Sequence, residues 1–339
     1  MAVTLHDVAR ASGVSIKTVS NVINDYPHIR PATRERVEAA IAELGYSPNL
    51  SARSLRRGRT GVIGLALPEL SLAYFAELAD SVMRAADRRG LTVLIEQTGG
   101  DPARERSVLS SPRRQLTDGL LFSPLGIDMT DEPALAVDYP LVLLGERIFT
   151  ERVDHVTMQN VEAARAATAH LLESGRRRIV ALGAHAGEEI GSAVLRTQGY
   201  REALEAAGVP YDERLIGHSG PWHRLNGAVA MRGIIESRVD FDAVFAFNDT
   251  LALGAVRTLQ DAGLDVPGDV AVIGFDDIDE SRYSVPSLSS IDPGREEIAQ
   301  AAVDVLKARI DGTDTTPHGL RTAAFTVVPR ESSAARRAG

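Results

Sequence analysis

From Gly61 onward, short β-rich runs alternate with amphipathic stretches, and this alternation narrows the folds open to the chain more than any other feature. "GVIGLAL", "LTVLIEQ", "DGLLFS", "PLVLLGE" and "HVTMQ" read as strands, with "YFAELADSVMRAADRRG" as an intervening helix. The pattern restarts at "AARAATAHLLESGRRRIVALG" and continues through "LRTQGYREALEAAGV", "DAVFAFND", "LALGAVRTLQDAGL" and "VAVIGFDD". Strands that alternate with helices form parallel sheets through right-handed crossovers, so two such runs predict an α/β core of two Rossmann-like lobes. No GxGxxG, P-loop or nucleophile-elbow motif follows these strands. With no cysteine and no ligand spacing among the eight histidines, the chain is expected to hold no metal and no cofactor and to be no enzyme.

The first sixty residues have a different texture. Thr4 precedes Leu5, Val8 and Ala9, with Asp7 three residues on, which predicts a capped helix that Gly13 ends. Ser15 can cap a second helix, "VSIKTVSNVIN", in which Val19, Val22 and Ile23 face inward with Val14. Its opposite face carries Ile16, Lys17, Ser20 and Asn21. A third helix starts at Pro31, presents Val37, Ala40, Ile41 and Leu44, and stops at Gly45. Two short helices joined by a tight turn and backed by a third make a helix-turn-helix unit. "LSARSLRRGRT" then has four arginines and one bulky outpost, Leu55, and reads as a linker able to become helical.

Charge divides the same way. Residues 1–60 hold nine Lys and Arg against five acids, a net +4, while the remainder holds 28 against 41, a net -13. Such asymmetry fits one module that meets a polyanion and another that does not. A hydrophobic fraction of 44% with no apolar run near the roughly 20 residues of a membrane span, and a start without signal-peptide character, predict a cytoplasmic protein without a membrane partner. The expected division is 1–48 headpiece, 49–60 linker, 61–330 core and 331–339 a flexible polar tail. Within the core, lobe 1 is expected at about 61–160 and 292–322, and lobe 2 at about 161–291 and 323–330.

"TLHDVARASGVSIKTVSNVIN", "TRERVEAAIAELGYSPN", "GVIGLALPEL", "LRTQGYREAL", "AFNDTLALGAV" and "VAVIGFDD" together resemble the LacI/GalR family of bacterial transcription regulators, from about Thr4 to about Arg330. The resemblance implies a homodimeric repressor whose core is similar to periplasmic sugar-binding proteins and whose second helix enters the major groove of a near-palindromic double-stranded DNA operator. The family's base-reading positions fall on Ile16, Lys17 and Asn21. Lys17 can donate to guanine O6 and N7, Asn21 can pair with adenine, and Ile16 can touch a thymine methyl. Many relatives carry arginine at the position of Asn21, so a relative's operator does not transfer. Thr4, Ser15, Thr18, Ser20 and Asn24 fit capping or phosphate contacts, as do Arg53 and Arg57 in the linker, the family's hinge helix. Leu55 matches its minor-groove wedge.

For the core, the resemblance implies an effector cleft between the lobes at the carboxyl ends of the strands. Carried over residue by residue, it gives Tyr74, Phe75, Arg196, Trp222, Asn248 and Asp276, with Glu146, Arg147 and Asn160 as weaker candidates. Asp249 and Asp277 fit helix caps. Carboxylate, amide and guanidinium groups beside aromatic rings suit a carbohydrate effector. A nucleoside, purine or other metabolite acting as corepressor is the alternative, and a free sugar-binding protein or an α/β enzyme is the rival class. The polar C-terminus contains no leucine heptad, which predicts a dimer and no tetramer.

Overall fold

The computed structural model describes residues 3–23, 26–46 and 59–334, the Arg113 side chain excepted, and divides into two compact units, Met1–Gly61 and Val62–Gly339. The first unit holds α1 (Leu5–Ser12), α2 (Ile16–Ile23) and α3 (Pro31–Leu44). The Asp7 carboxylate accepts from Thr4 N at 3.0 Å and Thr4 Oγ1 at 2.7 Å, which satisfies the start of α1. Gly13 and Gly45 end α1 and α3 at φ 66 and 63, a left-handed conformation in which a side chain is strained. Ser15 Oγ accepts from Thr18 N at 3.1 Å and caps α2. Val8, Val19 and Val37 are fully buried at the centre, with Ala9, Val22 and Ala40 around them. Ile16, expected on the outer face of α2, also packs partly on this small core.

The second unit contains the two expected lobes. Lobe 1 is a six-stranded, all-parallel sheet of β1 (Val62–Leu67), β2 (Thr92–Gln97), β3 (Leu120–Phe122), β4 (Leu141–Leu144), β5 (Asp154–Met158) and β11 (Leu320–Ala323), in the order β11-β5-β4-β3-β1-β2. Ile63, Leu65 and Leu67 pack toward α4 (Ala73–Asp87) and α11 (Arg295–Asp311). Ala66, Leu120 and Phe122 pack on the other face with Val108 and Leu109 of α5 (Pro102–Ser110). Burial on both faces explains why the inner strands β1, β3 and β4 are continuously apolar in sequence, whereas the edge strands β2 and β11 are mostly exposed or half-buried.

Lobe 2 carries the parallel sheet β7-β6-β8-β9, made of β6 (Ile179–Ala184), β7 (Ile216–His218), β8 (Ala243–Ala246) and β9 (Ala271–Ile273). An antiparallel ribbon of β10 (Ser290–Asp292) and β12 (Thr326–Val328) joins it through an Ile273–Ser289 bridge. The helices are α6 (Asn160–Glu173), α7 (Ser192–Ala206), α8 (Arg224–Glu236), α9 (Asp249–Asp261) and α10 (Asp279–Tyr283). The chain passes between the lobes three times, after β5, after β10 and between β11 and β12.

One expectation needs correction here. The tail is not free from residue 331: Glu331–Ser333 form a short 3₁₀ turn in which Ser332 and Ser333 are buried. Ser332 Oγ donates to Val272 O at 2.7 Å and accepts from Ser289 N at 2.8 Å, while Ser333 Oγ meets Ser289 Oγ at 2.7 Å. These small hydroxyls answer backbone groups at the sheet edge that burial would otherwise leave unsatisfied. Residues 335–339 lie outside the described ones.

Candidate functional site

The carboxyl ends of the strands in both lobes face one cavity of 180 Å³. Tyr74 and Phe75 enter it from the first turn of α4, their rings edge-on at 5.3 Å. Glu146 and Arg147 follow β4, Arg196 comes from α7, Trp222 precedes α8, and Asn248 and Asp276 follow β8 and β9. A larger hollow of 560 Å³ lies elsewhere on lobe 1, lined by Tyr139, Arg152, Arg309 and His318. Its basic groups are already answered, Arg309 and His318 by Asp154 at 2.7 and 2.9 Å and Arg152 by Glu132, so the smaller cavity is the better equipped for a ligand.

Arg196 is the anchor of the cavity floor. Its guanidinium lies over the Phe275 ring at 3.6 Å and 5.1 Å from the Trp222 centroid, and donates to Asn160 Oδ1 at 2.8 Å and to Phe247 O. Asn160 therefore stands behind Arg196 and does not line the cavity. Burial pushes the Asp276 carboxyl well above the usual range, with the Arg196 charge opposing that rise. Among the described residues nothing donates a hydrogen bond to that carboxyl. Asp276 also sits at φ 110, a conformation costly for a residue with a side chain and of the kind that gathers at binding sites. Burial, with Asp276 second, raises the Tyr74 phenol far above its ordinary value, so it stays a neutral donor.

Glu146 is buried and accepts from Thr157 Oγ1 at 3.1 Å and from Ser192 Oγ at 2.6 Å. Asn248 lines the cavity with its amide engaged: Oδ1 accepts from Leu251 N at 2.8 Å, and Nδ2 donates to Thr250 Oγ1 at 2.6 Å and Trp222 O at 3.2 Å. Asn248 is thus the cap of α9, and the expected role of Asp249 is corrected. Asp249 is buried and accepts from Ile278 N, Ser281 Oγ and Ser290 Oγ at 3.0, 2.7 and 2.6 Å, tying the loop after β9 to the start of α9. Asp277 caps nothing either; it pairs with Arg330 at 2.5 Å.

Sequence reasoning missed Glu69, His185, Glu188 and Ser192, which also line the cavity. His185 directly follows β6, and the rule that sites gather at the carboxyl ends of strands contained the signal to find it. Glu188 and Ser192 sit in the loop "HAGEEIGS", whose path no periodicity fixes. The Glu188 hydrogen bond at 2.7 Å raises the His185 imidazole above its ordinary value against the effect of burial.

In the helical unit, Lys17 is exposed on α2, with Ile16, Ser20 and Asn21 half-buried around it. Thr18 Oγ1 lies 2.9 Å from Ser15 Oγ, so both hydroxyls help to close the first turn. Asn24, Arg53, Leu55 and Arg57 lie outside the described residues.

Residues 4–49 match the bacterial regulatory proteins of the lacI family, and residues 168–333 match the periplasmic binding protein-like domain. The HTH-type transcriptional regulator CelR of Thermobifida fusca is 36% identical, over 93% of this chain and 94% of its own length. The chain belongs to the lacI family of regulators. A solved LacI-family regulator from Sanguibacter keddieii DSM 10542 is 53% identical, with a TM-score of 0.75 over 81% of this chain and 99% of that one. The transcriptional regulator CelR–cellobiose complex is 32% identical, with a TM-score of 0.72 over 97% and 99%. This lacI-family protein is accordingly a DNA-binding transcriptional regulator with a helix-turn-helix headpiece and a periplasmic-binding-protein-like core. Among the described residues no helix is long and apolar enough to cross a membrane.

Proposed function

We propose that the protein is a cytoplasmic, non-enzymatic repressor whose α2 reads an operator through Ile16, Lys17 and Asn21 while its core takes a small polyol, a sugar, as effector. The observation that carries the effector reading is the balance of donors and acceptors in the cavity. Among the described residues Asp276 offers a carboxyl with no donor inside the protein, held toward its protonated form by burial and so able to donate as well as accept. Glu146 offers a carboxylate, while most of Arg196 and Asn248 is spent inside the protein. Hydroxyls both donate and accept and so suit carboxyl groups at two points of the cavity, and Tyr74, Phe75 and Trp222 suit the C–H face of a sugar ring. A phosphate would find Arg196 largely engaged inside the protein and the Glu146 carboxylate nearby, which disfavours a sugar phosphate.

Dimerisation has its own support. Leu225 and Val229, one turn apart on α8, are 73% and 60% exposed, and Tyr283 at the end of α10 and Val285 just beyond it are 77% and 83% exposed. The Arg224–Glu280 pair at 2.8 Å joins the two elements, which makes them one apolar face suited to a second copy. Two copies present two α2 helices to the two halves of a near-palindrome.

The effector changes operator affinity only by binding the DNA-competent and DNA-free states unequally, and the coupling is reciprocal. The test joins the two activities. An operator is selected from random duplexes with the full-length protein, and its affinity is then measured with and without sugars and nucleosides that raise the melting temperature. A sugar that both stabilises the protein and shifts operator affinity is the expected result. Stabilisation by nucleosides alone would sink the polyol assignment, and absence of salt-sensitive DNA binding would sink the regulator itself.

A further inference from the structure

Among the lobe 1 side chains that line the cavity, Glu69, Glu146 and Arg147 each reach lobe 2, at His223, Ser192 and Glu188. Arg147 reaches from the end of β4, where its Nε lies 3.5 Å from Ile127 O, into lobe 2, where Nη1 donates to Glu188 Oε1 and Ile190 O, each at 2.5 Å. Both charged side chains are more than four-fifths buried, 18% and 16% exposed. The other oxygen of Glu188 holds His185 Nδ1 at 2.7 Å, the His185 ring lies 5.6 Å from that of Trp222, and the Trp222 indole N–H donates to Gly183 O at 2.9 Å. The loop is shaped around the pair. At Gly191, φ 137, an added Cβ would stand 2.6 Å from Glu188 Oε1 and 3.1 Å from Arg147 Nη1. Beyond Trp222, His223 Nε2 meets Glu69 Oε1 of lobe 1 at 2.9 Å, so the lobes are pinned on both sides of the indole.

What is enclosed is small. A cavity of 180 Å³ lies below the roughly 300 Å³ at which pockets for drug-sized ligands begin. We propose that the Arg147–Glu188 pair is a length gate that sets effector specificity: a ligand of one sugar ring lets the lobes close beneath it, and a second ring must leave it broken. This rests on the reading of the cleft as a polyol site. Separating the pair strands two largely desolvated charges, so the longer ligand binds at the expense of that contact and the shorter one does not. Arg147, which the sequence placed among the ligand contacts, is thereby assigned to closing the cleft.

Trp222 is the only tryptophan of the chain and lines the cavity, so its fluorescence reports closure directly. Full-length wild type, Arg147→Ala and Glu188→Gln are compared in two ways. Without ligand, acrylamide quenching of Trp222 is expected to rise in both variants, and unchanged quenching in both overturns the gate. Calorimetric titration with glucose, galactose and ribose against cellobiose, maltose and lactose is expected to show a monosaccharide as the tightest wild-type ligand. The variants are expected to shift the monosaccharide-to-disaccharide affinity ratio by about tenfold toward disaccharides. A wild type that prefers a disaccharide, or variants with an unaltered ratio, overturns the proposal. If no sugar of either length binds, the polyol reading falls, and the quenching alone decides whether the pair holds the cleft shut.

Discussion

Asp249 shows how far a fold can move a single group from its sequence value. Burial pushes its carboxyl up to about 7, although Ser290, Ser281 and the Ile278 amide all donate to it. In the unfolded chain the same group ionises near 3.8, so between those values the folded state holds a proton that the unfolded state has lost. Stability from this group is therefore complete below about pH 4 and falls as pH rises toward 7, at up to about 1.4 kcal/mol per pH unit. Asp249→Asn should flatten the pH dependence of the urea midpoint relative to wild type over that window, and parallel curves would show that Asp249 does not titrate there. On α2, Lys17→Ala and Asn21→Ala should each cost about 1–3 kcal/mol at the selected operator and relax preference at particular base pairs. Equal losses on the operator and on random duplex, measured by fluorescence anisotropy at fixed salt, would make them phosphate contacts. Residue identities in the cleft were legible through the family resemblance, which put Arg196, Trp222 and Asp276 among the residues that line it. They were not legible at Glu188 and Ser192, because a loop between a strand and a helix reveals its residue types but not their aim.

At the scale of elements, the alternation of strands and helices was readable because strands covered on both faces must be continuously apolar. The capped helices α1 and α2 were readable because Thr4, Asp7, Gly13 and Ser15 each have a local reason to be where they are. Helix α11 was not anticipated, although Ile298, Ala302, Val305 and Leu306 line its buried face, since its many alanines blur the contrast between faces. The docking of Glu331–Ser333 was also hidden, because serines look like tail residues until a sheet edge needs their hydroxyls. Gly199 is a comparable case. Within "LRTQGYREAL" it reads as a weak point in a helix, yet a Cβ there would stand 2.2 Å from Val161 O and 2.8 Å from Arg165 N on α6. Backbone cannot yield as a side chain can, so α6 and α7 pack this closely only because position 199 is bare. Gly199→Ala should destabilise by at least about 1–3 kcal/mol despite its better helix propensity. A urea midpoint equal to or above that of wild type would show that the two helices separate without cost.

For the whole molecule, the split of +4 in residues 1–60 and -13 beyond assigns attraction for DNA to one unit and repulsion to the other. The units also have separate cores, Val8, Val19 and Val37 in one and the large two-lobed cluster in the other, so neither needs the other to bury its apolar residues. Removing residues 1–60 should abolish operator binding at any salt while leaving the stabilisation by ligand intact, and loss of both would contradict this modular picture. Dimerisation connects the scales. Leu225→Lys with Val229→Lys adds like charges to an exposed face without touching either core, so the monomer should remain folded. Because two linked headpieces gain affinity from engaging two half-sites together, this double variant should lose far more affinity for the full palindrome than for an isolated half-site. Sedimentation velocity would confirm the monomer. An unchanged palindrome-to-half-site ratio in that monomer would mean that the two headpieces do not act through this face.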